Sequence, residues 1–230
     1  MGGDDELVKR CAWCRTEPAR RRYCSTRCRV AAWRERQRYA DVAGARDVLE
    51  PPVTVAALYV QAGGVYDGMH GLDPWPVERD ATRYDGPGPV VAHPPCGPWG
   101  RYRAISGTRQ RADLAVRAVD QVRWYGGVLE HPSGSRLWLA RELPAPGEPP
   151  DPWGGWSLLV RQSWWGHAAP KPTWLYVVGR PPLDHPPLPP PVPDPGGRVE
   201  RLSRRQREAT PPRLATWLVE LARGCSLVET

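Results

Sequence analysis

The chain has 230 residues, 40% of them hydrophobic, which is enough for one ordinary α/β domain and a small additional module. No window holds the roughly 18 consecutive apolar residues that a membrane helix requires. The acidic start, Met1–Glu6, is not followed by the apolar stretch of a secretory signal. We therefore expect a soluble, cytoplasmic protein without a membrane partner.

Positive charge is concentrated near the N-terminus. The net charge is +7, yet residues 9–38 alone carry 11 Lys or Arg and two acidic side chains, so the rest of the chain sums to −2. Only two of the 32 basic residues are Lys, as a GC-rich coding sequence would produce, so the position of the charge is more informative than the abundance of Arg. Clustered cations bind nucleic-acid phosphates by releasing counterions, which predicts a nucleic-acid partner for this segment.

Four of the six cysteines lie within the same basic segment. A C-x2-C pair is followed nine residues later by a C-x3-C pair, which is a spacing typical of zinc ligands: Cys11, Cys14, Cys24 and Cys28. Ser25 is a favourable N-cap and residues 26–39 contain helix formers, so the second pair is predicted to lie at a helix start. Residues 1–45 are thus expected to form a four-cysteine zinc finger that binds nucleic acid; the alternative is a purely structural clip.

Strand and helix patterns alternate after a linker at residues 46–55. A β-type run at 53–60 ends at Gly63–Gly64, and a polar, turn-rich stretch follows. Further strands are expected at 89–92, 128–129, 157–162 and 173–178, with helices at 110–124 and 212–223. Residues 181–195 contain nine prolines and are predicted to form an extended connector. The pattern predicts an α/β domain over residues 56–230.

Two residues with chemical potential follow predicted strands. Cys96 comes after two prolines and before Gly97, a rigid and accessible position that suits a nucleophile. Glu130 lies at the end of the next strand, and the ends of parallel strands meet at one edge of a sheet. A thiolate that adds to C6 of a pyrimidine and an acid that holds N3 would together make C5 nucleophilic. A lone cysteine is also compatible with a small buried hydrophobic residue.

Several short motifs occur in the order found in one enzyme family. They are Ala92-His-Pro-Pro-Cys96, Leu129-Glu-His-Pro132, Gln162-Ser-Trp-Trp-Gly166, Lys171-Pro-Thr-Trp174 and the segment Arg204–Leu218 with Thr210-Pro-Pro212. Together these motifs resemble the cytosine-C5 DNA methyltransferases, most closely their phage-type relatives. The similarity covers roughly residues 55–223, and His131 stands where the family usually has Asn.

The resemblance implies a Rossmann-like, methyltransferase-type sheet preceded by the small zinc finger. It implies that Cys96 is the nucleophile, that Glu130 binds the base and that S-adenosylmethionine donates the methyl group. Gly63 and Gly64 stand in the place of the family's cofactor turn, with Asp73 or Asp80 as the acidic cofactor contact. The implied substrate is nucleic acid in a bacterial host cell, with DNA favoured over RNA and the target base flipped out of the stack.

Three other interpretations remain open at the level of sequence. The protein is a non-catalytic nucleic-acid-binding protein with a degenerate enzyme fold, or it uses the same Cys/Glu pair for different chemistry at pyrimidine C5. The third is a zinc hydrolase in which His93, His131 and His167 join Cys96 at a second metal site. Because no two of these histidines are three to five residues apart, the alternative is that they are ordinary hydrogen-bonded histidines at a cleft. Five tryptophans are expected either to stack on bases or to fill the core: Trp99, Trp124, Trp138, Trp164 and Trp165.

Overall fold

A computed structural model describes Cys28 and residues 53–100, 111–190 and 192–227 of the chain. Contacts divide the chain into two units, Met1–Pro51 and Pro52–Thr230. In the first unit only Cys28 is described, as a partly buried helical residue, so the predicted zinc finger falls almost wholly outside the described residues. The described part of the second unit is a mixed α/β fold with a six-stranded sheet.

The strands alternate with helices much as the sequence predicts. In chain order they are β1 (Val55–Val60), β2 (Leu72–Pro76), β3 (Val90–Ala92), β4 (Gly127–Pro132), β5 (Trp156–Arg161) and β6 (Pro172–Val178). Their order across the sheet is β2-β1-β3-β4-β6-β5. The first four strands are parallel, whereas β6 runs antiparallel to both β4 and β5. All five strands expected from the sequence are confirmed.

Strand β2 was not predicted, because its sequence Leu-Asp-Pro-Trp-Pro resembles a turn. Proline has no backbone N–H to donate to a neighbouring strand, so within sheets it is found mainly in edge strands. β2 is the edge strand beside β1, where one side needs no hydrogen-bond partner. The structure therefore places a strand inside the stretch that was expected to be turn-rich.

Helices cover both faces of the sheet. They are α1 (Ala112–Tyr125), α2 (Arg136–Ala140), α3 (Arg204–Glu208) and α4 (Pro212–Arg223), with short 3₁₀ turns between several elements. Ala56 and Leu58 of β1 pack with α1 on one face. The alternate residues Val55 and Ala57 pack with α4 on the other. Because consecutive strand residues point to opposite faces, the buried strands are apolar on both sides and the fold has three layers.

Each of the long helices is specified by its apolar spacing. In α1 the fully buried residues Ala115, Val119 and Val122 repeat at helical intervals, and the helix ends at Gly126. Helix α4 begins with Pro212, whose fixed φ angle suits the first turn. It buries three leucines, each worth roughly 2 kcal/mol of hydrophobic free energy, at positions 214, 218 and 221. Both predicted helices are confirmed.

The proline-rich connector is held to the domain at several points. The Trp156 indole N–H donates to the Arg180 carbonyl at 2.6 Å, and the Trp217 indole donates to the Pro187 carbonyl at 3.0 Å. Farther along, Asp194 forms an ion pair with Arg161 at the β5 edge. No helix among the described residues is long and apolar enough to span a membrane.

The tryptophans contribute mainly to packing. Trp138 and Trp165 are buried in the two apolar clusters, and Trp99 and Trp164 pack against those clusters while partly buried. Trp124 lies under the guanidinium of Arg117, 4.7 Å from its ring centre. In a chain that has no Phe, these residues supply the large apolar side chains of the core.

Candidate active site at the carboxyl edge of the sheet

The candidate site lies where β3 and β4 end side by side. The two strands are parallel neighbours, with Ala92 paired with Leu129. His93 directly follows Ala92, the last residue of β3, and Glu130 directly follows Leu129 within β4. Strand order reverses between β1 and β3, because β1 leads outward to β2 while β3 leads to β4 on the other side. In open α/β sheets ligands bind outside the carboxyl ends of strands at such a reversal.

Glu130 is the most constrained carboxylate of this edge. Its Oε2 lies 3.1 Å from Nδ1 of His93, and its Oε1 accepts a hydrogen bond from Nε2 of Gln162 at 3.0 Å. The side chain is only 13% exposed. Burial alone would raise the pKa of Glu130, but the hydrogen bond and charge of His93, with smaller contributions from Lys171 and His131, hold it at about 2. The group is therefore a carboxylate at neutral pH.

His93 joins Glu130 to the loop that follows β1. Its Nε2 lies 2.6 Å from the hydroxyl of Tyr66, and the two rings are 5.4 Å apart. Tyr66 is 3% exposed, and burial followed by the Glu130 charge raises the pKa of its hydroxyl well above the usual value. The tyrosine stays neutral, so its hydroxyl either donates to a neutral imidazole or accepts from an imidazolium.

Gln162 holds the other side of the carboxylate in a fixed orientation. Its Nε2 donates to Thr173 Oγ1 at 3.1 Å as well as to Glu130. The Thr173 hydroxyl itself donates to the carbonyl of Lys171 at 3.1 Å, so its oxygen is left to accept from the amide. The Oε1 of Gln162 is buried and has no hydrogen-bond partner among the described residues. Leaving a buried acceptor without a partner costs free energy.

Cys96 lies at the exposed rim of the same edge. Its carbonyl accepts hydrogen bonds from the backbone N–H groups of Trp99 and Gly100, at 3.1 and 2.8 Å, which closes a tight turn behind the thiol. Burial by surrounding atoms and the Glu130 charge raise the pKa of the thiol, whereas the Lys171 ammonium lowers it. The thiol and the carboxylate are thus within electrostatic range of each other, and the free thiol is mainly protonated at neutral pH.

The histidines of the zinc-hydrolase interpretation do not converge. His131 directly follows Glu130 in β4 and therefore points to the opposite face, where its ring lies 6.4 Å from that of Trp138. Burial lowers the pKa of His131 to about 4, against the raising effects of Glu130 and of the Pro95 backbone. His167 is hydrogen-bonded to the backbone of Ala169 and of Gln206. Among the described residues no group of three or more His, Cys, Asp or Glu side chains is arranged to hold a metal ion.

The candidate cofactor residues occupy two different parts of the sheet. Gly63 and Gly64 form the turn after β1, at the carboxyl edge; Gly63 has a φ of 67° and its N–H donates to Asp67. Asp80 also lies beyond the carboxyl end of its strand, and its carboxylate accepts from the hydroxyl of Thr82 at 2.6 Å.

Asp73 lies near the start of β2, opposite Ala56, and so belongs to the amino-terminal part of the sheet. Its carboxylate is held by the indole of Trp75 and the guanidinium of Arg79. Of the two acidic candidates, Asp80 is therefore the one located at the carboxyl edge of the sheet, where a bound ligand is expected.

The predicted zinc site stays a prediction. Cys11, Cys14 and Cys24 lie outside the described residues, and Cys28 is the one ligand candidate that the structure describes. The sixth cysteine, Cys225, is buried in the core and its thiol donates to the carbonyl of Leu221 at 3.3 Å. Cys225 is thus explained by packing.

Sequence reasoning missed most of the residues that surround Glu130. His93 was expected to be either a metal ligand or an ordinary hydrogen-bonded histidine at a cleft, and the structure shows it hydrogen-bonded to Tyr66 and Glu130. Tyr66 and Thr173 were not singled out. Gln162 and Lys171 are the first residues of two of the family-like motifs, and this position was the sequence feature that could have identified them as site residues. Comparison of the chain with protein-family models, curated proteins and solved structures found no match.

Proposed function

We propose that the α/β unit modifies pyrimidine bases of nucleic acid at C5, as a cytosine-C5 methyltransferase-like enzyme with Cys96 as nucleophile and Glu130 as the base-binding acid. The observation that carries the proposal is the position of Cys96 and Glu130 at the carboxyl ends of two adjacent parallel strands, within electrostatic range of each other. Both the resemblance of the motifs and the proposed chemistry require the thiol and the carboxylate to face one substrate base.

The fold supports a Rossmann-like, methyltransferase-type assignment. Four parallel strands are flanked on both faces by helices, and the strand order reverses between β1 and β3. The antiparallel β6 is inserted between β4 and β5, which brings Thr173 and Gln162 to the end of β4. In sheets of this kind ligands bind outside the carboxyl ends of the strands, where the strand order reverses.

The proposed reaction begins with addition of the Cys96 thiolate to C6 of a flipped-out cytosine. The S–C6 bond forms, the C5=C6 electron pair moves to C4–C5, and the N3=C4 pair moves to N3, which takes up a proton. C5 then carries the nucleophilic electron density. Elimination later reverses these shifts: C5 loses its proton, the S–C6 bond breaks and N3 returns its proton.

The proton for N3 is assigned to the His93–Glu130 pair. Because the pKa of Glu130 is held at about 2, the carboxylate has no proton of its own to give at neutral pH. His93 is hydrogen-bonded to the same carboxylate and to the hydroxyl of Tyr66, so the pair provides a path along which a proton passes through Glu130 to N3. The exocyclic amino group of cytosine would donate to Glu130.

S-adenosylmethionine would supply the methyl group to C5. The residues that fit its binding are the Gly63–Gly64 turn and Asp80, which flank the carboxyl edge beside β1 and β2. Asp73 is not included, because its carboxylate is engaged with Trp75 and Arg79 toward the other end of β2. The N-terminal segment, with zinc held by Cys11, Cys14, Cys24 and Cys28, is proposed to bind DNA.

The proposal predicts that Cys96→Ser abolishes transfer of labelled methyl groups from S-adenosylmethionine to cytosine-containing DNA or RNA. The hydroxyl of serine is a far weaker nucleophile, so we expect a loss of at least about 100-fold. Cys225→Ser is the matched control, because Cys225 is a buried thiol remote from the carboxyl edge, and its activity should remain within about threefold. Zinc content and circular dichroism establish that each variant is folded.

Transfer that survives Cys96→Ser would overturn the mechanism. A folded wild-type protein that transfers no methyl group would instead favour the non-catalytic alternative, which has one observation in its support: burial and Glu130 raise the pKa of the Cys96 thiol in the free protein. Under that alternative, nucleic-acid affinity is unchanged by Cys96→Ser and by Glu130→Gln.

A further inference from the structure

A second concentration of positive charge lies beside the candidate site. Residues 198–213 contain six arginines and two glutamates, although the chain outside residues 9–38 is acidic overall. All six arginines are exposed. We call them the arginine rim: Arg198, Arg201, Arg204, Arg205, Arg207 and Arg213.

Most arginines of the rim have no acidic partner. Elsewhere in the described part of the unit, five of the ten arginines form an ion pair with an aspartate: Arg79, Arg123, Arg141, Arg161 and Arg180. Within the rim only Arg204 is paired, with Glu208 at 2.8 Å. Among the described residues the other five have no carboxylate partner. Unpaired, exposed guanidinium groups are available to bind phosphates without first breaking an internal ion pair.

Two hydrogen bonds fix the rim segment against the elements of the candidate site. The Lys171 ammonium donates to the carbonyl of Ala209 at 3.2 Å, and Nε2 of His167 is 3.2 Å from the carbonyl of Gln206. Both carbonyls belong to α3 or to the residue after it. The Glu208 charge acts on the Cys96 thiol, as does that of Lys171. Helix α3 is therefore within electrostatic range of the proposed nucleophile.

The backbone of Lys171 is strained in a way that favours this arrangement. Its φ of 41° lies in the left-handed region, which residues with a side chain rarely adopt. In that conformation its carbonyl accepts from the backbone N–H of Gln162 and from the Thr173 hydroxyl, while its ammonium reaches Ala209. One residue thus connects the hydrogen-bond network of Glu130 with the arginine rim.

We propose that the arginine rim binds the phosphates of a nucleic-acid strand whose target base enters the cleft at Cys96 and Glu130. The inference rests on the proposed function and names the partner surface of the same site. A base that leaves the stack remains attached to the phosphates on either side of it, and these phosphates need cations at the mouth of the cleft. Six arginines spread over 16 residues fit several successive phosphates and exceed what the single phosphate of a free nucleotide requires.

The test is equilibrium binding of a fluorescent, cytosine-containing single-stranded oligonucleotide to the full-length, zinc-loaded protein at several salt concentrations. The rim variant is Arg205→Gln with Arg207→Gln, because both residues are exposed and unpaired. The control is Arg79→Gln with Arg83→Gln, which removes the same charge from exposed residues that follow β2 at the far edge of the sheet.

We expect the rim variant to bind at least about tenfold more weakly, and its plot of log affinity against log salt to flatten by about 1.4, or about 0.7 for each phosphate that is no longer bound. The control should change affinity less than about twofold. An unchanged affinity in the rim variant, or an equal loss in the control, would overturn the proposal. Cytidine monophosphate that binds as tightly as the oligonucleotide, with the same sensitivity to the rim variant, would assign the surface to a free nucleotide and overturn it as well.

The same titration with Cys96→Ser separates this inference from the proposed chemistry. If Cys96→Ser keeps its affinity for the oligonucleotide and the rim variant loses it, phosphate binding by the rim is supported even if no base is modified. If the rim variant keeps both its affinity and its methyl transfer, phosphate binding by the rim is contradicted, and the proposed function stays in place.

Discussion

Glu130 combines deep burial with a retained negative charge. Such a charge is costly unless it is paired and hydrogen-bonded, and here both carboxylate oxygens have a partner, in His93 and Gln162. The arrangement holds the carboxylate in one orientation at the end of β4. Burial and then the Glu130 charge raise the pKa of the Cys96 thiol, whereas the Lys171 ammonium lowers it. Besides burial, the protonation of the thiol therefore depends on nearby charges that substitution can remove.

The pH dependence of Cys96 alkylation by iodoacetamide tests that dependence without any enzymatic activity. The thiolate is the reactive form, so the midpoint of the rate against pH reports the pKa of the thiol. Glu130→Gln removes a negative charge and should move the midpoint to lower pH. Lys171→Gly removes a positive charge and should move it to higher pH, whereas Lys171→Arg keeps the charge and should leave it in place.

Peptide mass spectrometry would follow Cys96 separately from the other cysteines. A midpoint that is the same in Glu130→Gln and in the wild type would contradict the electrostatic coupling of the two proposed catalytic groups. It would do so whether or not a substrate is known.

At the scale of elements, the site depends on the close pairing of β3 and β4. Gly127 begins β4 with a φ of 117°, and a Cβ atom at this position would lie 2.0 Å from the carbonyl oxygen of Val90. The preceding residue, Gly126, ends helix α1. The role of Gly127 is steric, because no other residue lets the two strands approach at this point.

Gly127→Ala is expected to lower the free energy of unfolding by at least about 3 kcal/mol, since backbone rather than a flexible side chain occupies the space. The control is Gly134→Ala, which also has a left-handed φ, of 71°, but has no atom within 4 Å of the added Cβ. It should cost only about 1 kcal/mol. Urea denaturation measures both, and equal losses in the two variants would contradict the steric account.

The same scale explains how far the sequence could predict the structure. Apolar runs and glycine boundaries identified β1, β3, β4 and both long helices, and parallel pairing followed from the alternation of strands and helices. Strand β2 was missed because its prolines are tolerated only at an edge, and edge position is a property of the assembled sheet. Helix α3 was missed although Ser203 and Gln206 form a capping box at its start.

The site could be predicted only in part, for a related reason. Cys96 follows β3 and Glu130 lies in the second half of β4, so the order of these adjacent parallel strands brings them to one edge of the sheet. Tyr66 reaches His93 because the loop after β1 folds back over the sheet edge, and Thr173 reaches Gln162 because β6 is antiparallel. Neither fact is encoded in local periodicity, so the hydrogen-bond network around Glu130 had to come from the structure.

At the scale of the whole molecule, helices cover both faces of the sheet, and the candidate site lies at one of its edges. The Gly63–Gly64 turn, the Cys96 loop and Glu130 all lie at the carboxyl edge of the parallel strands. Positive charge occurs in two places along the chain, residues 9–38 and the arginine rim at residues 198–213. We propose that both bind the same polyanion, the rim close to the reacting base and the zinc-finger segment elsewhere on it.

The central claim is that Cys96 and Glu130 activate C5 of a pyrimidine, and its most direct test is the release of tritium from C5 of cytosine in an oligonucleotide. Addition of a thiolate to C6 makes C5 accept a solvent proton and lose its label, and this exchange needs no methyl donor. The account predicts measurable release by the wild-type protein and by Cys225→Ser. It predicts loss of at least about 100-fold in Cys96→Ser and in Glu130→Gln. Undiminished release from Cys96→Ser, or no release by a folded wild-type protein that binds the oligonucleotide, would contradict it.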